Sequence, residues 1–265
     1  MKNSLLLIIF SVHALLSCSQ DFEVAPVLMN FTGDPGTVTT KALTVRNYAN
    51  IKQKFTLKFS DYIIDENGVK QIKAMNTTKN SCASWITINP SFVELQPNES
   101  KELSVLMAVP QNHFETRWGM IHVEVAKEKD IFNADKQLAT GVIIVPRINV
   151  LVKQSPKSNS NYSAKLVSLT EITETKDKFR KFEIKILNNG DKVIDAKVYL
   201  AIANIKTAEE KKYNKKSITV YPNNKRKLTL ILPEKIEPGE YALAAILDYG
   251  HRMPLEGSQI IITQK

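Results

Sequence analysis

The chain has 265 residues, 43 % hydrophobic and 24 % charged, with 9 Gly, 11 Pro and 2 Cys. This excludes disordered, collagen-like and disulfide-framework classes and leaves a globular protein long enough for two domains of ordinary size. The formal net charge of +9 suits an anionic partner, yet aromatics do not interleave with the basic runs as a nucleic-acid stacking surface requires.

Residues 1–19 read as an export signal: Lys2, the apolar run from Leu5 to Phe10, then small residues at Ser17-Cys18-Ser19. The run is shorter than the ~20 residues a membrane-spanning helix needs. Two cleavage chemistries fit. Leu15-Leu16-Ser17-Cys18 is similar to a bacterial lipobox, which would acylate the Cys18 thiol. Ser17 and Ser19 also satisfy the small-x-small rule, with cleavage before Gln20. In either case Cys82 has no intramolecular partner and is expected to be buried as a small apolar side chain.

From Phe22 onward apolar residues alternate with period two in short runs bounded by turn residues, so an all-β fold is predicted. In the first half the runs are 38–47, 55–59, 85–88, 100–109, 119–126 and 141–153, with Asp65-Glu66-Asn67-Gly68 as a hairpin-type turn. No stretch carries a capped helical stripe over three turns. The polar segment Gln154-Ser155-Pro156-Lys157-Ser158-Asn159-Ser160-Asn161 then interrupts the pattern. Strand-like runs resume at 164–169, 182–187, 196–202, 217–221, 227–232, 241–247 and 258–263, the spacing expected of an immunoglobulin-like sandwich. The expected organisation is a signal at 1–19, a first Ig-like domain over 21–154, a linker at 155–161 and a second Ig-like domain over 162–265. The halves echo each other: one strand in each ends on asparagine, at Asn47 and at Asn188, and a Pro-marked turn after Leu95 or Tyr221 leads to a strand stopped by Pro110 or Pro233.

Two segments of the first half carry a resemblance. They are Ile88-Asn89-Pro90-Ser91-Phe92-Val93-Glu94-Leu95-Gln96-Pro97, running on to Val105, and Gly141-Val142-Ile143-Ile144-Val145-Pro146-Arg147-Ile148-Asn149-Val150-Leu151-Val152. In that order they resemble the N-terminal domain of PapD-like periplasmic chaperones, two-domain Ig-like proteins that hold pilus subunits. The resemblance implies a donated strand whose alternate apolar side chains fill a partner's groove. Leu138, Thr140, Val142 and Ile144 share one parity there; the other reading is that they face their own core. It also implies a basic pair that anchors the partner's C-terminal carboxylate. Asn149 stands where the family has lysine, flanked by Arg147, and no Lys or Arg lies between Lys2 and Lys41, so the first strand has no matching cation.

The charge is uneven: residues 1–155 carry 16 basic and 14 acidic side chains, net +2, and residues 156–265 carry 20 and 13, net +7. The excess gathers at Lys211-Lys212, Lys215-Lys216 and Lys225-Arg226-Lys227, expected to be solvated loop tips and guards on edge strands. Trp85 and Trp118 are expected to fill the first core. Asp248 and His251 invite an acid–base reading, against which stands a plain strand end and turn. No metal-ligand spacing, phosphate loop or nucleophile motif is present. The expected protein is exported and non-catalytic, needs no cofactor, and holds another envelope or surface protein from the periplasm or outer membrane. The alternatives are a lipid-anchored accessory subunit of an envelope assembly and a β-sandwich enzyme or carbohydrate binder.

Overall fold

The structure is a computed structural model and describes residues 21–126 and 145–265. The first sandwich contains β1 (Phe22–Ala25), β2 (Leu28–Phe31), β3 (Val38–Asn47), β4 (Gln53–Ile64), β5 (Lys70–Lys73), β6 (Ile86–Asn89), β7 (Phe92–Leu95), β8 (Ser100–Ala108), β9 (Arg117–Val125) and β10 (Arg147–Gln154). One sheet has the order β1-β3-β8-β6; the other runs β2-β10-β9-β4-β5, with β7 also on β4. Pro26, which has no N–H to give a ladder, separates β1, antiparallel to β3, from β2, parallel to β10. The opening strand therefore serves both sheets.

The second sandwich contains β11 (Ala164–Glu171), β12 (Lys181–Asn188), β13 (Ile194–Asn204), β14 (Glu210–Lys212), β15 (Lys216–Val220), β16 (Lys225–Ile231), β17 (Gly239–Asp248) and β18 (Glu256–Gln264). Its sheets are β11-β12-β16 and β14-β13-β17-β18, with β15 also on β13. Period-two alternation makes each core: Leu43, Val45, Leu103, Val105, Ile121 and Val123 fill the first, and Phe182, Ile184, Ile186, Val198, Leu243 and Leu247 the second. Two tandem β-sandwiches are therefore the architecture, as the alternation predicts.

The echo of two asparagines is a shared device. Asn47 Nδ2 donates to the carbonyls of Ile51, Leu95 and Gln96, while its Oδ1 accepts from Ala49 N. Asn188 Nδ2 donates to the carbonyls of Lys192 and Val220, and its Oδ1 accepts from Gly190 N. Each fully buried amide ties a strand end to the following loop and to a strand of the opposite sheet.

Three expectations need correction or refinement. Trp118 is not in the first core: it lies between the sandwiches, its Nε1 donating to Tyr62 O at 2.9 Å and its ring edge-on to Tyr221 at 4.9 Å. The parity of β9 sends 118, 120, 122 and 124 to the outer face, opposite Ile121 and Val123. Trp85 packs at the rim of the first core, beside His113 and Arg117. The basic run at 225–227 opens β16 and meets the first sandwich as well as solvent: Lys227 N donates to Glu66 O at 2.6 Å, and Lys227 Nζ lies 3.4 Å from Glu66 Oε1. Gly68 is required at that turn, since its φ is +87° and a Cβ would run into the Arg226 guanidinium.

Cys82 is fully buried as expected, and burial, with the nearby Asp61 charge, pushes its thiol well above the ordinary range. Asp248 and His251 do not form a pair. Asp248 Oδ1 accepts from Gly250 N, and the His251 ring stacks on Tyr162 with centroids 3.6 Å apart.

The connection from β10 to β11 is braced from both sides. Asp34 Oδ1 accepts from the Ser158 amide at 2.9 Å and hydroxyl at 2.8 Å. Buried Lys192 donates to Ser155 Oγ at 2.9 Å and to Pro156 O, and Asn161 Nδ2 donates to Asp191. Burial lowers the Lys192 ammonium below its usual range, opposed by Asp34.

Candidate partner-binding edge

β9 is buried over both faces although only one of them looks into the sandwich core. Its outer face is roofed at one end by the second sandwich and at the other by polar side chains of its two neighbours. Cross-strand register sets Glu124 of β9 between Arg147 of β10 and Thr56 of β4, and His122 between Asn149 and Lys58. Glu124, only 6 % exposed, accepts from Lys58 Nζ at 2.7 Å on one side and pairs with Arg147 at 2.5 Å on the other. Hydrogen bonding from Lys58, with the charge of Arg147, holds the Glu124 carboxyl below the usual carboxylate range against the effect of burial. The folded carboxyl titrates below its unfolded value, so this contribution to stability is complete above the unfolded value and fades as pH falls through the folded one.

His122, 5 % exposed, is held on both ring nitrogens. Nδ1 lies 2.7 Å from Asn149 Oδ1 and Nε2 lies 2.7 Å from Ser60 Oγ. The amide oxygen only accepts, so His122 donates to it from Nδ1, and the Ser60 hydroxyl, able to donate or accept, meets Nε2. All four polar atoms of this chain are thereby satisfied within the sheet.

The edge itself belongs to β10. Leu151 N donates to Val27 O, so the odd-numbered residues of β10 turn their N–H and C=O toward β2 and away from β9. Pairing with β2 begins only at Leu151. Among the described residues, no strand pairs with Arg147–Val150 on that side, which leaves the backbone groups of Arg147 and Asn149 facing outward. Val27 and Leu28, 57 % and 41 % exposed, flank the opening. Ile148 and Val150 turn to the other face and pack on the first core.

The sequence expectations fall on this edge unequally. Arg147 and Asn149 stand side by side on the outer face of β10, each engaged by a residue of β9. Cys18, Leu138, Thr140, Val142 and Ile144 lie outside the described residues. The first strand, as β1 and β2, brings no cation to the edge and offers Val27 and Leu28 instead. Sequence reasoning missed Ser60, Lys58, His122 and Glu124. The available signal was two polar residues, His122 and Glu124, on the outward parity of an otherwise apolar strand; their partners became visible only with the strand order.

No protein-family model and no curated protein matches the chain. Among solved structures, the chain is similar to one described as a chaperone–tip adhesin complex of CFA/I fimbriae biogenesis, at 14 % identity over 91 % of this chain and 98 % of that one, with a TM-score of 0.50. The likeness shows the fold, two β-sandwiches in tandem. The class 5 fimbriae chaperone CfaA aligns at 14 % identity over 92 % of this chain and all of that one, with a TM-score of 0.48. A CsuC–CsuE pre-assembly complex from Acinetobacter baumannii aligns at 12 % identity over 79 % and 90 %, with a TM-score of 0.44. In this chain the first strand switches sheets at Pro26, and its second half, β2, covers β10 only from Leu151 on.

Proposed function

We propose that the protein is an exported, non-catalytic chaperone that holds a pilus-type or other surface subunit by strand addition along β10. The observation that carries this reading is the open edge at Arg147–Val150, a row of unpaired backbone donors and acceptors next to exposed Val27 and Leu28. Leu138, Thr140, Val142 and Ile144 have the same sequence parity as Ile148, Val150 and Val152, so a strand continuing β10 backward would add alternate apolar side chains to the same row. Main-chain bonds would give affinity, and that row would set register.

Co-purification from the cell envelope tests this reading. The doubly substituted Val142→Glu, Ile144→Glu protein is expected to remain folded by circular dichroism and to lose at least tenfold of the partner recovered with the wild type. Undiminished recovery would remove these residues from the docking strand. Export would follow from residues 1–19, and acylation of Cys18 would tether the protein to a membrane by two or more chains. Labelled fatty acid is then expected in the wild type and absent from Cys18→Ser, which would appear in the soluble fraction; equal solubility of the two proteins would favour ordinary cleavage before Gln20.

A further inference from the structure

The outer face of the open edge is organised in a way that strand addition alone does not require. Arg147 and Asn149 are the two residues of β10 whose backbone groups face the opening. Both have long enough polar side chains to fold across it and satisfy those groups internally, which would block an incoming strand. Neither does so. Each is drawn sideways onto β9, Arg147 by Glu124 at 2.5 Å and Asn149 by His122 at 2.7 Å.

The two contacts also fall at favourable places in the ladder. With the odd residues of β10 turned away from β9, Arg147/Glu124 and Asn149/His122 are non-hydrogen-bonded pairs, where facing side chains approach most closely. Lys58 and Ser60 of β4 hold the far sides of Glu124 and His122 at 2.7 Å each. Two polar rows thus run across three strands, from β4 through β9 to β10. The members on β9 are nearly inaccessible to solvent, so their orientation is not shared with water.

We propose that His122 and Glu124 are positioning residues of the docking edge, holding the Asn149 and Arg147 side chains off the open backbone and keeping the unpaired half of β10 flat against β9. This rests on the reading of β10 as the docking edge and deepens it by naming what the edge accepts. With the Arg147 charge already met by Glu124, the edge presents backbone groups and apolar side chains, and its complement is an extended apolar segment rather than a charged chain end.

The test uses the free protein, so it does not depend on any partner. Ile148 and Val150 direct their amides to β9, and Val152 does the same where β2 covers the other edge. Residue-resolved amide exchange in Glu124→Gln and His122→Phe is expected to accelerate at Ile148 and Val150 by tenfold or more, with Val152 and the second sandwich unchanged. His122→Phe combined with Asn149→Leu is expected to add little to either alone, because the two substitutions remove one shared interaction. Asn149→Asp alone, which keeps the acceptor facing His122, is expected to retain wild-type exchange where Asn149→Leu does not. In the wild type the ¹⁵N resonances of His122 should report a proton on Nδ1.

Uniform acceleration throughout the first sandwich would assign these residues to general stability only and overturn the proposal. Unchanged exchange at Ile148 and Val150, or full additivity of the double substitution, would overturn it as well. Each of these results leaves the strand-addition reading to be judged separately by the Val142 and Ile144 substitutions.

Discussion

Replacing Asn188 with alanine is expected to lower the stability of the second sandwich by about 3 kcal/mol and its thermal midpoint by roughly 10 °C or more. The amide has no access to solvent, and it donates at 2.7 Å to Lys192 O and 2.8 Å to Val220 O while accepting from Gly190 N at 3.0 Å. Alanine would strand two carbonyls and one amide in a space too tight for easy relaxation. Gly190 already lies so close to the Asn161 and Ser163 backbone that even a Cβ there would collide. An unsatisfied buried group costs roughly 1–3 kcal/mol, partly recovered where water enters. Calorimetry with chemical denaturation measures the loss, and Asn47→Ala provides the matching experiment in the first sandwich, where three carbonyls and one amide are at stake. A loss below about 1 kcal/mol in both would show that these amides are replaceable by water.

The same asparagines illustrate what was legible in the sequence. A polar residue closing an apolar alternating run, and doing so once in each half, marked Asn47 and Asn188 before any contact was known. Period two also exposed the longer strands, because burial of one face forces alternation wherever the other face meets water, but it missed β1, β2, β5, β7 and β14, which have only three or four residues each. That logic fails for β9. Both of its faces are covered, so Trp118, with outward parity, read as core, and nothing in the pattern marked His122 and Glu124 as buried. What covers them comes from residues far away in sequence: Tyr221 in the second sandwich, Lys58 on β4 and Arg147 on β10. No local pattern encodes such meetings; they appear once strand order is known. The basic run at 225–227 is a similar case, since its contact at Glu66 depends on how the two sandwiches meet.

The two sandwiches meet through an aromatic cluster. Tyr221 stands at the end of β15 and enters the first sandwich's outer face, where its hydroxyl lies 3.0 Å from Tyr62 Oη and its ring packs edge-on against Trp118 and Tyr62. Burial pushes the Tyr62 and Tyr221 hydroxyls above the ordinary phenol range, consistent with a dry contact in which each has the other as partner. Tyr221→Ala is expected to cost about 3 kcal/mol through the lost ring and the cavity left beside Trp118. Tyr221→Phe, which keeps the ring and strands only the Tyr62 hydroxyl, is expected to cost about 1 kcal/mol. The two variants should also differ in kind. The remaining contacts between the sandwiches are mostly polar, at Glu66 with Arg226 and Lys227, Thr116 with Asp191 and Ser155 with Lys192, with Val193 adding one partly buried apolar side chain. Without the aromatic centre they are too weak to make two cores unfold together, so scanning calorimetry of Tyr221→Ala is expected to resolve two transitions where the wild type and Tyr221→Phe give one. A single transition in Tyr221→Ala would mean that the braced connection at residues 155–161, and not the aromatic cluster, couples the sandwiches. The placement of the second sandwich against β9 would then be set from the chain connection outward.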